Sequence, residues 1–293
     1  MRIDRYLTLG VFRPLKRAGA VRRSLNLPIL MYHSISAAEE RDVNPYYRVA
    51  TSPQRFADQM LWLSELGCAG CSLEDALISN GNKVENGRRP VAITFDDGYR
   101  DFYTEAWPRL QNRGFTATMH LPTAFIAERR KSFYGRECLT WNEARELRAH
   151  GIRFGSHTVN HPKLHGLPWK MIRSELTGSK ECLENELGES IHSFAYPYAF
   201  PQEDRRFTET FAALLREADY RTCVTTVVGR MPTGGDPLYL KRLPINSCDD
   251  RLLFESKLDG AYDWLGATQN AFRHLKRWSG PLVAAKNNPL ESA

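Results

Sequence analysis

Short apolar runs take turns along most of the chain with segments whose apolar residues recur every three or four positions, and this alternation predicts strands and helices in succession. A first strand over 28–32 ends in His33 and Ser34. Ser52 and Pro53 supply an N-cap and a first-turn proline for a helix with Phe56, Met60, Leu63 and Leu66 on one side, stopping at Gly67. A weak strand over 69–72, a short helix from Leu73 and a polar loop over 80–89 lead to the apolar run Val91, Ala92, Ile93, Thr94, Phe95. This run reads as a buried strand that empties into Asp96, Asp97 and Gly98, residues of the turn beyond it. A helix over 101–113 closed by Gly114 and a strand over 116–121 follow. Thr140 and Glu143 have the spacing of a capping box, which opens a helix running to His150, and a strand over 152–155 then ends in Ser156 and His157. An amphipathic helix over 169–187, strands over 193–196, 222–228 and 240–245, a helix over 208–218 and helical tail segments near 252–258 and 264–278 complete the pattern.

Such alternation over 293 residues predicts an α/β chain folded as a distorted parallel (β/α) barrel of seven to eight strands. In that architecture chemistry gathers at the C-terminal strand ends, and His33, Asp96, Asp97, His157 and the run Tyr196-Pro197-Tyr198 all follow directly on expected strands. The domain plan is a basic N-terminal arm over 1–25, a barrel domain over 26–250 and a helical extension over 251–293 packed on the barrel.

Charge first suggests a nucleic-acid partner, since the formal net charge is +6, but its distribution removes that reading. Residues 1–25 hold seven basic residues against Asp4 alone, and the remainder is formally neutral. No nucleic acid is expected on a neutral body. No secretory signal or membrane span stands out, which places the chain in the cytoplasm or on the cytoplasmic face of a membrane. Residues 1–25 suit peripheral contact with an anionic membrane, with Leu7, Val11, Phe12 and Leu15 toward lipid and the arginines toward phosphates; a solvated basic arm is the alternative. The six cysteines read as free packing thiols of a reducing compartment, Cys68 and Cys71 having no second pair to complete a zinc site.

The adjacent carboxylates of Asp96 and Asp97 repel unless a cation lies between them. His157 and His161, four residues apart, could supply two imidazoles which, with one carboxylate, leave an open position for water on zinc or a similar ion.

Together these motifs resemble the polysaccharide deacetylases of carbohydrate esterase family four, the NodB-homology domain, over residues 28–247. Thr94-Phe95-Asp96-Asp97-Gly98 resembles the first motif, His157 with His161 the second, and Phe194-Ala195-Tyr196-Pro197-Tyr198 the third. Leu30-Met31-Tyr32-His33-Ser34 and Lys241-Arg242-Leu243-Pro244-Ile245 resemble motifs of the subgroup acting on exopolysaccharides. The resemblance implies a carbohydrate N-deacetylase, a metal-dependent hydrolase removing N-acetyl groups from an amino-sugar polysaccharide, oligosaccharide or lipid-linked glycan. One divalent ion is implied, zinc foremost, with nickel, cobalt or manganese as alternatives. Asp97, His157 and His161 would be its ligands, Asp96 the general base, and the Tyr198 backbone N–H an oxyanion donor. Tyr196, Pro197 and Trp141 are the expected substrate-binding residues, with Tyr198 and Trp169 also able to stack on sugar.

The sequence departs from the family at three places. Ala195 replaces the arginine that orients the catalytic aspartate, Ala199 replaces a glycine, and the late motif that carries the general acid has no match. His33 is the expected substitute acid. The competing readings are a non-catalytic carbohydrate-binding homologue and a metal-dependent amidase acting on a small molecule.

Overall fold

The computed structural model describes residues 2–19, 26–79, 87–232, 234–266 and 268–269. In chain order its strands are β1 (Ile29–Tyr32), β2 (Ser34–Ile35), β3 (Ala50–Thr51), β4 (Cys68–Cys71), β5 (Arg89–Phe95), β6 (Thr118–Leu121), β7 (Ser132–Phe133), β8 (Arg136–Glu137), β9 (Arg153–Ser156), β10 (Ser193–Ala195), β11 (Thr222–Val228) and β12 (Leu240–Pro244). Eight of these form one parallel sheet in the order β1-β12-β11-β10-β9-β6-β5-β4, and a further β1–β5 pairing closes seven of them into a barrel. The expected distorted (β/α) barrel is thus the observed one, and its irregular strand is identifiable. On one edge β5 pairs with β4 through Arg89 to Ala92 and then with β6 through Thr94 and Phe95, while its other edge faces β1. The eighth strand therefore lies outside the closed ring.

The pattern that predicted the helices also explains their ends. Ser52 caps the helix Pro53–Glu65 by accepting from the Arg55 N–H, and Thr140 and Glu143 make the reciprocal capping box of Trp141–Ala149. The helix Arg205–Glu217 starts three residues earlier than its apolar period indicated, because Asp204 caps it by accepting from Phe207. Where one helix was expected over 101–113, a π-turn Phe102–Ala106 precedes an α-segment Trp107–Gln111. Pro108 lacks the N–H that a regular α-helix would return to Thr104, so the wider turn meets it. Of the other expected elements, the loop over 80–89 and the last helix over 264–278 lie mostly outside the described residues.

Two apolar clusters divide the interior. The larger packs the outward strand residues, such as Val91, Ile93, Phe95 and Phe194, under the helices. The smaller joins Ile29, Ala92, Ala195, Val224 and Leu240 from five barrel strands with Leu27, Leu73, Ala76 and Met231. These inward residues are mostly small, and in the next inward positions Thr94, His120 and Arg242 replace them, so the barrel is apolar below and polar beneath its C-terminal mouth.

The N-terminal segment is helical through residues 3–17 and docks on the body. Arg2, Arg5 and Arg13 pair with Asp249, Asp250 and Glu255, and the Phe12 ring stacks on Trp264 at 4.9 Å. This corrects the sequence reading in two details: those arginines face carboxylates of the same chain, and Phe12 faces the body. Ile3, Leu7, Val11 and Leu15, spaced four apart, remain exposed on the opposite stripe. Among the described residues no helix is long and apolar enough to cross a membrane.

Candidate metal and catalytic centre

Most residues placed at the centre by the sequence leave strand ends on the same face of the barrel. Asp96 and Asp97 follow β5, His157 follows β9, Tyr196 follows β10 and His33 follows β1. The backbone there is held in a conformation that side chains rarely adopt. Of the six positive-φ residues other than glycine among those described, Asp97 (72°), Tyr134 (47°), Thr158 (70°), His161 (53°) and Tyr198 (56°) sit at this mouth. Strain of this kind persists when the surroundings fix the chain, and it gathers at functional sites. The left-handed position of the third motif falls on Tyr198, and Ala199 has no positive φ, so its methyl group is accommodated without strain.

Asp97, His157 and His161 converge. The two Nε2 atoms are 3.1 Å apart, and each is 3.5 Å from Asp97 Oδ1, an oxygen that is buried and has no hydrogen-bond partner. Ligand atoms about 2.0–2.1 Å from a tetrahedral ion stand about 3.3–3.4 Å from one another, so this triangle fits zinc-like coordination. The His157 Nδ1–H donates to the Ala195 carbonyl at 2.7 Å, which leaves the Nε2 lone pair for the ion. Electrostatics agree with a site built for positive charge. Burial alone would raise the Asp97 carboxyl, but His157 beside it, with His33 and His161, holds it below the usual range. Burial likewise opposes charge on His157, yet Asp97 and Asp96 reverse this and raise its pKa. His161 is pushed down to about 3, by burial and then by His157 beside it.

Asp96, 2% exposed, is held from within the barrel. Arg242 of β12 donates Nη1–H to Oδ1 at 2.8 Å and Nη2–H to Oδ2 at 2.7 Å, while its Nε–H donates to the Thr225 carbonyl. Burial opposes the charged form of Asp96, but the guanidinium outweighs it and holds the carboxyl well below the usual carboxylate range. The arginine absent at Ala195 is thus supplied from a different strand. The run Lys241-Arg242-Leu243 held part of the signal, because an arginine inside an expected barrel strand needs a partner if the fold buries it.

His33 lies half-buried at the rim, near enough to Asp97 and His161 to bias both. Tyr198 is 40% exposed and its ring lies 4.7 Å from that of His161. Three expected sugar contacts are corrected. Tyr196 is buried among Phe200, Phe207 and Phe211, Pro197 is buried behind it, and Trp141 is buried at the start of its helix. Rings flanking the centre in sequence suggest a platform, whereas packing among the helices covers them. Trp169 is exposed but stacks on Phe207. The aromatic that sequence reasoning missed is Tyr134, 56% exposed, whose hydroxyl meets that of Tyr198 at 2.5 Å. It occupies the two-residue turn between β7 and β8 with Gly135, both at positive φ, as a hairpin turn of the primed type requires. A tyrosine before a glycine was the available sign.

Residues 83–223 match the family model described as polysaccharide deacetylase. YxkH of Bacillus subtilis, which carries the name of a polysaccharide deacetylase, is 30% identical over 203 residues, 69% of this chain and 65% of its own. A poly-beta-1,6-N-acetyl-D-glucosamine N-deacetylase of Staphylococcus aureus is 26% identical over 165 residues, 53% of this chain and 56% of its own. The chain thus spans less than two thirds of either relative. Among solved structures, the Streptococcus pyogenes deacetylase PplD in complex with acetate superposes with a TM-score of 0.68 at 25% identity, over 80% of this chain and 99% of that one.

Proposed function

Because residues 83–223 match the polysaccharide deacetylase family model, we propose that the chain is a metal-dependent hydrolase removing N-acetyl groups from an amino-sugar polysaccharide or oligosaccharide. The observation that carries the reading is the triangle of Asp97, His157 and His161 beside an ionised, arginine-held Asp96. The named activity of the Staphylococcus aureus relative favours a poly-N-acetylglucosamine substrate.

In this proposal Asp97, His157 and His161 hold one divalent ion, zinc first among the candidates, which when bound supplies Lewis acidity toward the acetamide carbonyl and lowers the pKa of water. Asp96 accepts the proton of the attacking water. Arg242 fixes both Asp96 oxygens, so the acceptor is oriented before substrate arrives. The water oxygen bonds to the carbonyl carbon, and the Tyr198 backbone N–H donates to the oxyanion that results. His33 gives a proton to the nitrogen as the C–N bond breaks, leaving acetate and a free amine. Tyr134 and Tyr198 form the aromatic rim against which a sugar ring rests.

Acetate release from N-acetylated glucosamine oligomers tests the reading directly. Release should disappear with chelator, return on adding zinc, and fall by about 10²–10⁴-fold in Asp96→Asn with bound metal retained. Saturable binding of the oligomer with no release from the wild type would establish a binding module in its place. The same metal analysis separates zinc from nickel, cobalt and manganese.

Peripheral attachment to the cytoplasmic face of an anionic membrane belongs to the same proposal, supported now by the exposed stripe Ile3, Leu7, Val11 and Leu15. Co-flotation with phosphatidylglycerol vesicles should be lost when Leu7 and Val11 become serine; equal flotation of both proteins, or none by either, would remove it.

A further inference from the structure

Resting on the deacetylase reading, we infer that His120 is a second positioning residue for Asp96, holding it from inside the barrel beside Arg242. His120 is an inward residue of β6, completely buried, in the polar layer of the lumen that also holds Thr94 and Arg242. Its Nδ1 is 3.3 Å from Asp96 Oδ1, and its Nε2 is 3.0 Å from the Ser193 hydroxyl on β10. The three residues therefore form a line across the barrel, from hydroxyl to imidazole to the carboxylate proposed as base.

The chemistry of the two ends fixes the ring. Asp96 is ionised against Arg242 and can only accept, so Nδ1 carries the proton and Nε2 accepts from the serine hydroxyl. Among the described residues, Asp96 Oδ1 is the acceptor placed against Nδ1. The angle there falls short of a good hydrogen bond, a common state of unliganded catalytic sites that tightens with substrate present. A buried N–H without an acceptor is costly, so the ring has reason to close that contact. Room for the ring comes from β9: a Cβ on Gly155 would lie 2.5 Å from His120 Cδ2. Arg242 fixes the plane of the carboxylate from the β12 side, and His120 fixes its Oδ1 edge from the β6 side. Together they leave Asp96 few ways to turn away from the attacking water.

Three substitutions separate positioning from mere filling of the lumen. Asparagine can present an N–H where Nδ1 lies, glutamine where Nε2 lies, and leucine neither. His120→Leu and His120→Gln should each lower kcat for acetate release by about 10–100-fold, the range for an outer partner of a metal site, with KM and metal content unchanged. His120→Asn should stay within a few-fold of wild type. Glutamine active and asparagine inactive, or all three equal to wild type, would overturn the inference. If leucine prevents folding, the asparagine and glutamine pair decides alone. If the wild type releases no acetate, the deacetylase reading fails by itself, and ¹⁵N NMR of the imidazoles then tests the contact. An Nδ1-protonated His120 whose resonance moves in Asp96→Ala supports it, and an Nε2-protonated ring indifferent to that change rejects it.

Discussion

Two clusters of buried and part-buried charge among the described residues are built to different rules. Under the docked N-terminal helix, Asp249 takes Lys257 on Oδ2 at 2.8 Å and Arg2 on Oδ1 at 3.0 Å, while Asp4 takes Arg2 and the Tyr262 hydroxyl. Lys257 also donates to the Pro244 carbonyl at 2.5 Å and lies over the Tyr262 ring. Each of these charges meets an opposite one, and no atom of the cluster is left without a partner. At the barrel mouth, Asp97 Oδ1, His161 Nδ1 and His120 Nδ1 are buried without a good hydrogen bond, and the backbone carrying Asp97 and His161 is strained. Satisfied buried charge holds two parts of a chain together. Buried polar atoms left open beside a strained backbone mark a place where a ligand completes the structure.

Replacing a member of the open triangle should have the largest effect on function and little on folding. Asp97→Ala or His157→Ala should lose metal affinity well beyond the ~10–100-fold that follows loss of an outer partner, abolish acetate release, and raise the apo melting temperature or leave it unchanged. Elemental analysis with thermal unfolding reads both effects. A marked loss of apo stability would erase the distinction between the two clusters.

The closed cluster should behave in the reverse way. Asp249→Asn strands Lys257, whose pKa burial already lowers against the pull of Asp249, and should remove about 3–5 kcal/mol of stability by urea unfolding. The double substitution Asp249→Leu with Lys257→Met should recover most of it, since neither charge is then left alone. Arg242→Met with Asp96→Leu offers the parallel test at the mouth, where stability should return and activity should not. Recovery of activity there would show that the buried ion pair serves the fold alone.

A smaller effect is expected where burial is partial. Glu143 accepts from the Thr140 N–H, Arg100 and both Arg130 nitrogens, and although burial opposes ionisation these donors bring its pKa down to about 2. A carboxyl lowered by folding stabilises at pH above about 4.5 and loses that contribution as pH falls toward 2. Melting curves across this window should differ between wild type and Glu143→Gln by on the order of 1 kcal/mol, because the arginines are partly solvated. Parallel curves would place no stabilisation in the carboxylate.

The sequence alone determined what depends on neighbours along the chain. Period, caps and terminating glycines located most helices and strands, and strand-end placement brought His33, Asp96, Asp97, His157 and Tyr198 to one face before any contact was known. The π-turn at Pro108 and the turn at Tyr134 were written locally too, in signals weaker than the apolar period around them.

Tertiary structure decided everything that needed two distant segments to meet. Alternation of strands and helices does not say which residues face the lumen, so Arg242 and His120 could be matched to Asp96 only once β12, β6 and β5 had closed into one ring. Tyr196 and Trp141 have the composition of a sugar platform, and only packing against helices made them core. The same holds for the N-terminal arginines, which read as free charge until the fold set Asp249, Asp250 and Glu255 opposite them. Local patterns report the conformation of a segment. The partner of a buried charge is set by closure of the barrel, because desolvation forces each such group to find its counterpart wherever the chain brings it.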